Sequence, residues 1–225
     1  MRVRAISLLI LCVVGLLPGS AYGIGLWFNG DWLGYPPSYN PLSSAGHCFF
    51  NDFNVGPSGW VVEEVWGHFA LKPGYPVATS ASWEIRSGMS GGGGGTLVAS
   101  GQGLLTRTPV GWDAWYYEVN RIALTGLSVN LAPGSYWVGI GMYVPGQVTC
   151  LYRTTGANAI GTPAGNNGNT YERLYNNYSL RNYDHSMGVN GRDLTEPIPE
   201  PASLALLGLG LAVLVLGAAV RGRTS

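Results

Sequence analysis

Apolar residues recur at every second position over short stretches of this chain, and Gly, Pro and Asn punctuate the stretches. Tyr136, Val138, Ile140 and Met142 follow this rule, as do Leu127, Val129 and Leu131. A period of two sends one row of side chains inward and the other to solvent, the mark of a strand with one buried face. Further strand-length runs cover residues 46–54, 59–69, 81–87, 96–100 and 115–122. Turn chemistry separates them at Val55-Gly56-Pro57-Ser58, at the glycine run 91–95 and at Pro133-Gly134. Residues 184–191 read as one closing strand, and the Asn-, Gly- and Tyr-rich stretch 163–178 reads as a long surface loop. No helical period is sustained between the two ends of the chain. The pattern predicts an all-β protein: a single β-sandwich domain over residues 24–191, jelly-roll-like in topology.

The two ends follow a different rule. Residues 202–220 (ASLALLGLGLAVLVLGAAV) carry no charge, and Arg221 and Arg223 follow them. As a helix this run spans roughly 28 Å at about 1.5 Å per residue, close to the thickness of a bilayer's hydrocarbon core. Lipid offers the backbone no hydrogen-bond partner, so a single apolar run there must be helical. The arginines form a membrane stop and assign the C-terminus to the cytoplasm. At the other end, Arg2 and Arg4 precede a short apolar stretch over 6–17. Pro18-Gly19 and the small residues Ala21 and Gly23 come next. That order predicts a signal peptide over residues 1–23, cleaved after Gly23. Residues 192–198 are left as a tether.

Composition narrows the function. Between Ile24 and Ile198 eight Lys and Arg stand against eleven Asp and Glu. The exported part is therefore mildly acidic, which argues against nucleic acid as a partner. Cys12 leaves with the signal peptide, so Cys48 and Cys150 are the cysteines of the mature domain, and an oxidising compartment favours a disulfide between them. Neither has a histidine at ligand spacing, and no metal site or cofactor is expected. His47, His68 and His185 form no metalloprotease spacing, and no serine sits in a nucleophile elbow. Asp52, Glu63, Glu64, Asp113 and Glu118 leave a glycosidase pair open in principle, but nothing in their spacing selects one. The expectation is a protein without catalysis. Trp112, Trp115, Tyr116 and Tyr117 are too dense for all four rings to enter one core, which makes them candidates for stacking on sugar faces.

The C-terminal stretch Pro199-Glu200-Pro201, followed by the apolar run and Arg221-Gly222-Arg223, resembles a PEP-CTERM sorting signal. Three features in this order at a chain end are specific, though they span about an eighth of the sequence. The resemblance implies export to the periplasmic side of the cytoplasmic membrane as an anchored precursor. It further implies processing near Pro199, Glu200 and Pro201 by exosortase, a membrane-embedded thiol peptidase, then transfer to the cell surface or release. Phe50-Asn51-Asp52-Phe53 ahead of Gly59-Trp60, with Trp83 to Gly88, Gly95 to Gly101 and Leu131 to Trp137, is similar to the exported β-sandwich domain found ahead of such tails. That domain type brings no catalytic residues with it. The expected role is structural or adhesive, at the cell surface or in the extracellular matrix. A carbohydrate-binding module for exopolysaccharide is the alternative, and a glycoside hydrolase ranks third.

Overall fold

The computed structural model describes residues 23–33, 47–71, 73–74, 78–142, 149–151, 156–163 and 167–195. The expected signal peptide, the Pro-Glu-Pro tripeptide, the 202–220 helix and its arginines lie outside the described residues. Within them every regular element is a strand: β1 (Ile24–Phe28), β2 (Cys48–Val55), β3 (Trp60–Leu71), β4 (Ser80–Ser87), β5 (Thr96–Leu104), β6 (Thr106–Trp112), β7 (Glu118–Leu131), β8 (Gly134–Gly141), β9 (Thr149–Leu151), β10 (Thr170–Leu174), β11 (Asn177–Arg181) and β12 (Met187–Asp193). The all-β expectation holds.

Two sheets form. Sheet 1 runs β1-β12-β3-β7-β6, with β9 also paired to β3, and sheet 2 runs β11-β10-β2-β8-β4-β5. The predicted runs at 46–54, 59–69, 81–87, 96–100 and 136–142 appear as β2, β3, β4, β5 and β8. Two of the expected segments differ. Part of the supposed surface loop 163–178 is the β10–β11 hairpin, in register from Thr170 opposite Arg181 to Leu174 opposite Asn177. The strand expected over 115–122 starts only at Glu118, because residues 113–117 turn the chain from β6 into β7.

Alternation along β2 divides the interior. Phe49, Phe53 and Val55 face sheet 1 and enter the main core with Trp27, Trp60, Val65, Phe69, Ile122, Leu124, Val138 and Ile140. Cys48 and Phe50 point the opposite way, into a smaller cluster with Met89, Trp137 and Tyr171 on the outer face of sheet 2. Gly139 lies opposite Phe50 in β8, and a Cβ there would run into the Phe50 ring. Its lack of a side chain lets that cluster close.

The same alternation corrects the expected Cys48–Cys150 bridge. Cys48 is a buried free thiol. It sits on the face of sheet 2 that points away from sheet 1, whereas the backbone of Cys150 pairs with Ala70 of β3 in sheet 1. The side chain of Cys150 lies outside the described residues. Burial pushes the Cys48 thiol well above its ordinary pKa.

Register also fixes which parts share an end of sheet 1. Trp60 pairs with Asp193 and with Leu131, and Ile24 pairs with Gly191, so the domain's first strand and last strand begin and finish at one end. Leu194 N–H donates to Gly59 O at 2.9 Å before the chain goes on. Leu71 pairs with Glu118, and Glu118 with Trp112, at the other end. The β6–β7 turn therefore stands at the end of sheet 1 remote from where the chain leaves it.

Candidate functional site

The β6–β7 turn is built around Asp113. Its buried carboxylate Oδ1 accepts N–H bonds from Trp115 at 2.9 Å and Tyr117 at 2.7 Å. The Asp113 N–H donates to Tyr117 O at 3.0 Å, and Tyr116 N–H donates to Asp113 O at 3.2 Å. An aspartate that binds backbone donors two and four residues ahead competes with strand pairing and stabilises a turn. The turn forces Tyr116 to φ +62°, the left-handed region that ordinary side chains avoid. Strain of this kind is kept where the surroundings hold it, and it concentrates at functional positions.

Three of the four aromatic residues singled out in the sequence are displayed here. Tyr116 is 80% exposed, Trp112 59% and Trp115 46%. Tyr117 is different: it packs with Trp32 against Ala70 and Val119 on the outer face of sheet 1, and acts as a foot of the turn. Beside Trp112 runs a polar ladder that has no signature in residue spacing. Glu118 is its cross-strand partner. Arg107 donates through Nη2 to Glu118 Oε2 and through Nε to Asn120 Oδ1 at 2.7 Å. The buried Asn120 returns Nδ2 bonds to Glu118 O at 3.0 Å and Oε2 at 3.2 Å. Finding this ladder requires the β6–β7 register, which places residues 107, 118 and 120 together.

The other carboxylates are engaged elsewhere. Glu64 lies 2.8 Å from Arg121 and accepts from Asn190 Nδ2 at 2.7 Å, while Arg121 covers the Trp66 ring at 4.3 Å. Glu63 pairs with Arg192. Asp52, on the outer face of sheet 2, accepts from Asn167 and Asn169; burial pushes its carboxyl above the usual carboxylate range and these hydrogen bonds oppose the rise. Glu84 is held between Arg86 and Arg173, and Glu172 between His47 and Arg181. Thus each of the five carboxylates noted in the sequence holds another group in place.

His68 gives this side of the molecule a pH dependence. Its Nδ1 lies 2.8 Å from Ser186 Oγ, and that hydroxyl donates its own proton to Gly30 O at 2.8 Å. Ser186 Oγ must then accept from Nδ1–H. Burial, with Arg121 adding to it, lowers the His68 pKa from 6.5 to about 4. The unfolded chain therefore binds a proton that the folded chain refuses between those values. Stability is full above pH 6.5 and is lost as pH falls toward 4, by roughly 2–3 kcal/mol from pH 7.5 to 4.5. Urea midpoints at these two pH values should separate by more in the wild type than in His68→Phe. Equal separation in both would mean that His68 does not carry the effect.

Taken together, the described residues define a β-sandwich protein with an aromatic hairpin tip at one end of sheet 1. Residues 197–223 match the family model of the PEP-CTERM protein-sorting motif. The C-terminal stretch of this chain is that sorting signal, the mark of an exported, membrane-associated precursor that exosortase processes for the cell surface. No match was found among the curated proteins.

Proposed function

We propose that the exported domain has a structural or adhesive role at the cell surface or in the extracellular matrix, without catalysis. The observation that carries this reading is the display of Trp112, Trp115 and Tyr116 on one hairpin tip. Exposed large rings collected at one place mark a contact surface. The engagement of Asp52, Glu63, Glu64, Asp113 and Glu118 in ion pairs and hydrogen bonds supports a non-catalytic role over a glycoside hydrolase. A carbohydrate-binding module for exopolysaccharide is the second reading, favoured by the polar ladder beside Trp112.

Cleavage after Gly23 would leave Ile24, the first residue of β1, as the mature N-terminus. The order β1-β12-β3-β7 against β2-β8-β4-β5, in which every neighbouring pair except the β4–β5 hairpin is distant in sequence, supports the jelly-roll-like topology.

A surface-attachment assay on the producing cell tests the role. Cells lacking the protein should attach poorly and shed matrix. Wild-type protein should restore attachment, and Trp112→Ala/Tyr116→Ala, exported to the same level, should not. Full restoration by the double variant would remove the tip from the account.

A further inference from the structure

We propose that the β6–β7 tip is a saccharide-binding site: Trp112 takes the apolar C–H face of a pyranose, and the Glu118–Arg107 pair beside it binds the hydroxyls. This inference rests on the adhesive reading and names its ligand class. The tip is costly to the fold. A tryptophan 59% exposed and a tyrosine 80% exposed in left-handed conformation gain little from folding, and the second is strained by it. Glycine at 116 would relieve the strain and remove only an exposed ring, so the fold itself does not require Tyr116.

The chemistry next to the rings selects the ligand. A pyranose has one apolar face and an equatorial belt of hydroxyls, each both donor and acceptor. Trp112 offers a flat apolar surface, and its cross-strand neighbour Glu118 offers carboxylate acceptors. Arg107 adds guanidinium donors, and buried Asn120 fixes both groups in place. A few oriented polar groups around an aromatic floor are the usual build of a small-molecule site. Trp115 and Tyr116, within four positions of Trp112, extend the surface for the neighbouring sugars of a chain. A lipid surface fits less well. Arg107 is neutralised by Glu118, and Asp113 adds a further negative charge, whereas anionic headgroups select excess Lys and Arg. The Asp113 clasp holds the turn before any ligand arrives, which lowers the entropic cost of binding.

Affinity electrophoresis of the full chain in mild detergent tests this. The gels would contain the matrix polysaccharide extracted from the producing cell, laminarin, galactomannan or dextran. Wild type should be retarded in at least one gel. Trp112→Ala and Tyr116→Gly should each lose at least tenfold in apparent affinity, and Glu118→Gln should weaken binding several-fold. Tyr116→Gly separates binding from folding, since its melting temperature should equal or exceed that of wild type. Tyr175 is the matched control. It is another exposed tyrosine at positive φ, in the β10–β11 turn at the opposite edge of sheet 2 from β5, the strand that leads into β6. Tyr175→Gly should leave retardation unchanged.

Absence of retardation in every gel, or equal retardation of Trp112→Ala and wild type, overturns the saccharide site. So does sedimentation with phosphatidylglycerol–phosphatidylethanolamine vesicles that Trp112→Ala abolishes, because the tip would then be a lipid-contact surface. The adhesive reading of the tip fails separately: the saccharide site can fall while tip variants still lose attachment, whereas normal attachment by the variants removes the tip from adhesion whatever the gels show.

Discussion

Phe53→Ala is expected to destabilise the sandwich by about 3–5 kcal/mol, a large share of the roughly 5–15 kcal/mol that holds a typical domain together. Phe53 belongs to β2 in sheet 2, and its ring is fully buried between the sheets. It stacks on Trp60 of β3 with centroids 5.8 Å apart and planes 7° from parallel. Trp27 of β1 is 5.8 Å away, and Tyr136 of β8 is 5.9 Å away. Removing it takes away burial from both layers and leaves a cavity walled by rigid rings that have little room to collapse inward. Val98, exposed on the edge strand β5, supplies the comparison: Val98→Ala should stay within about 0.5 kcal/mol of wild type. Urea denaturation followed by circular dichroism reads both. Similar midpoints for the two variants would show that the sheets are not joined through this cluster.

How much of this was legible in the sequence follows from where burial is apolar. In β2, β3, β4 and β8 the inward rows include Phe49, Phe53, Val62, Ile85, Val138 and Ile140, so alternation announced the strands. Strand β10 hides because two of its inward positions are polar. Thr170 meets Asn51 and Asp184, and Glu172 meets His47 and Arg181; these partners satisfy the buried groups but leave no hydrophobic period to read. Strand β6 hides for the opposite reason. Most of it is exposed, and Pro109 and Gly111 argue against a strand except at an edge, which is where it lies.

The candidate site was half legible. The density of rings at 112–117 was visible, but the fate of each ring depended on the Asp113 clasp, which turns Tyr116 outward and sets Tyr117 against the sheet. Glu118 was noted as one carboxylate among several, and its pairing with Arg107 across eleven residues is a matter of register. The cysteine expectation failed on parity. Two thiols in an exported chain suggest a bridge, yet Cys48 shares its face with Phe50 and points away from the sheet that carries residue 150.

The second large effect concerns the tail. Glu200→Ala should leave folding and export intact and block removal of the C-terminal segment. A plain anchor requires apolar length and a basic stop, and Pro199-Glu200-Pro201 supplies neither. Proline at 199 and 201 removes backbone donors and biases Glu200 away from helical geometry, so the tripeptide favours an extended segment. An extended segment with accessible carbonyls suits attack by a thiol nucleophile. The glutamate, with only Pro201 between it and the uncharged run 202–220, offers a charge that can stay hydrated outside the bilayer. Because the match to the sorting motif spans 197–223, it includes the tripeptide, the apolar run and both arginines. The measurement is an immunoblot of membrane, surface and secreted fractions from a strain that carries exosortase, comparing wild type with Glu200→Ala. The wild-type product should be about three kilodaltons lighter than the variant, a shift set by loss of the apolar run 202–220 and the arginines that follow it. The variant should remain in the membrane fraction. Identical size and identical partition of the two proteins would contradict this expectation, and the tail would then act as an anchor alone.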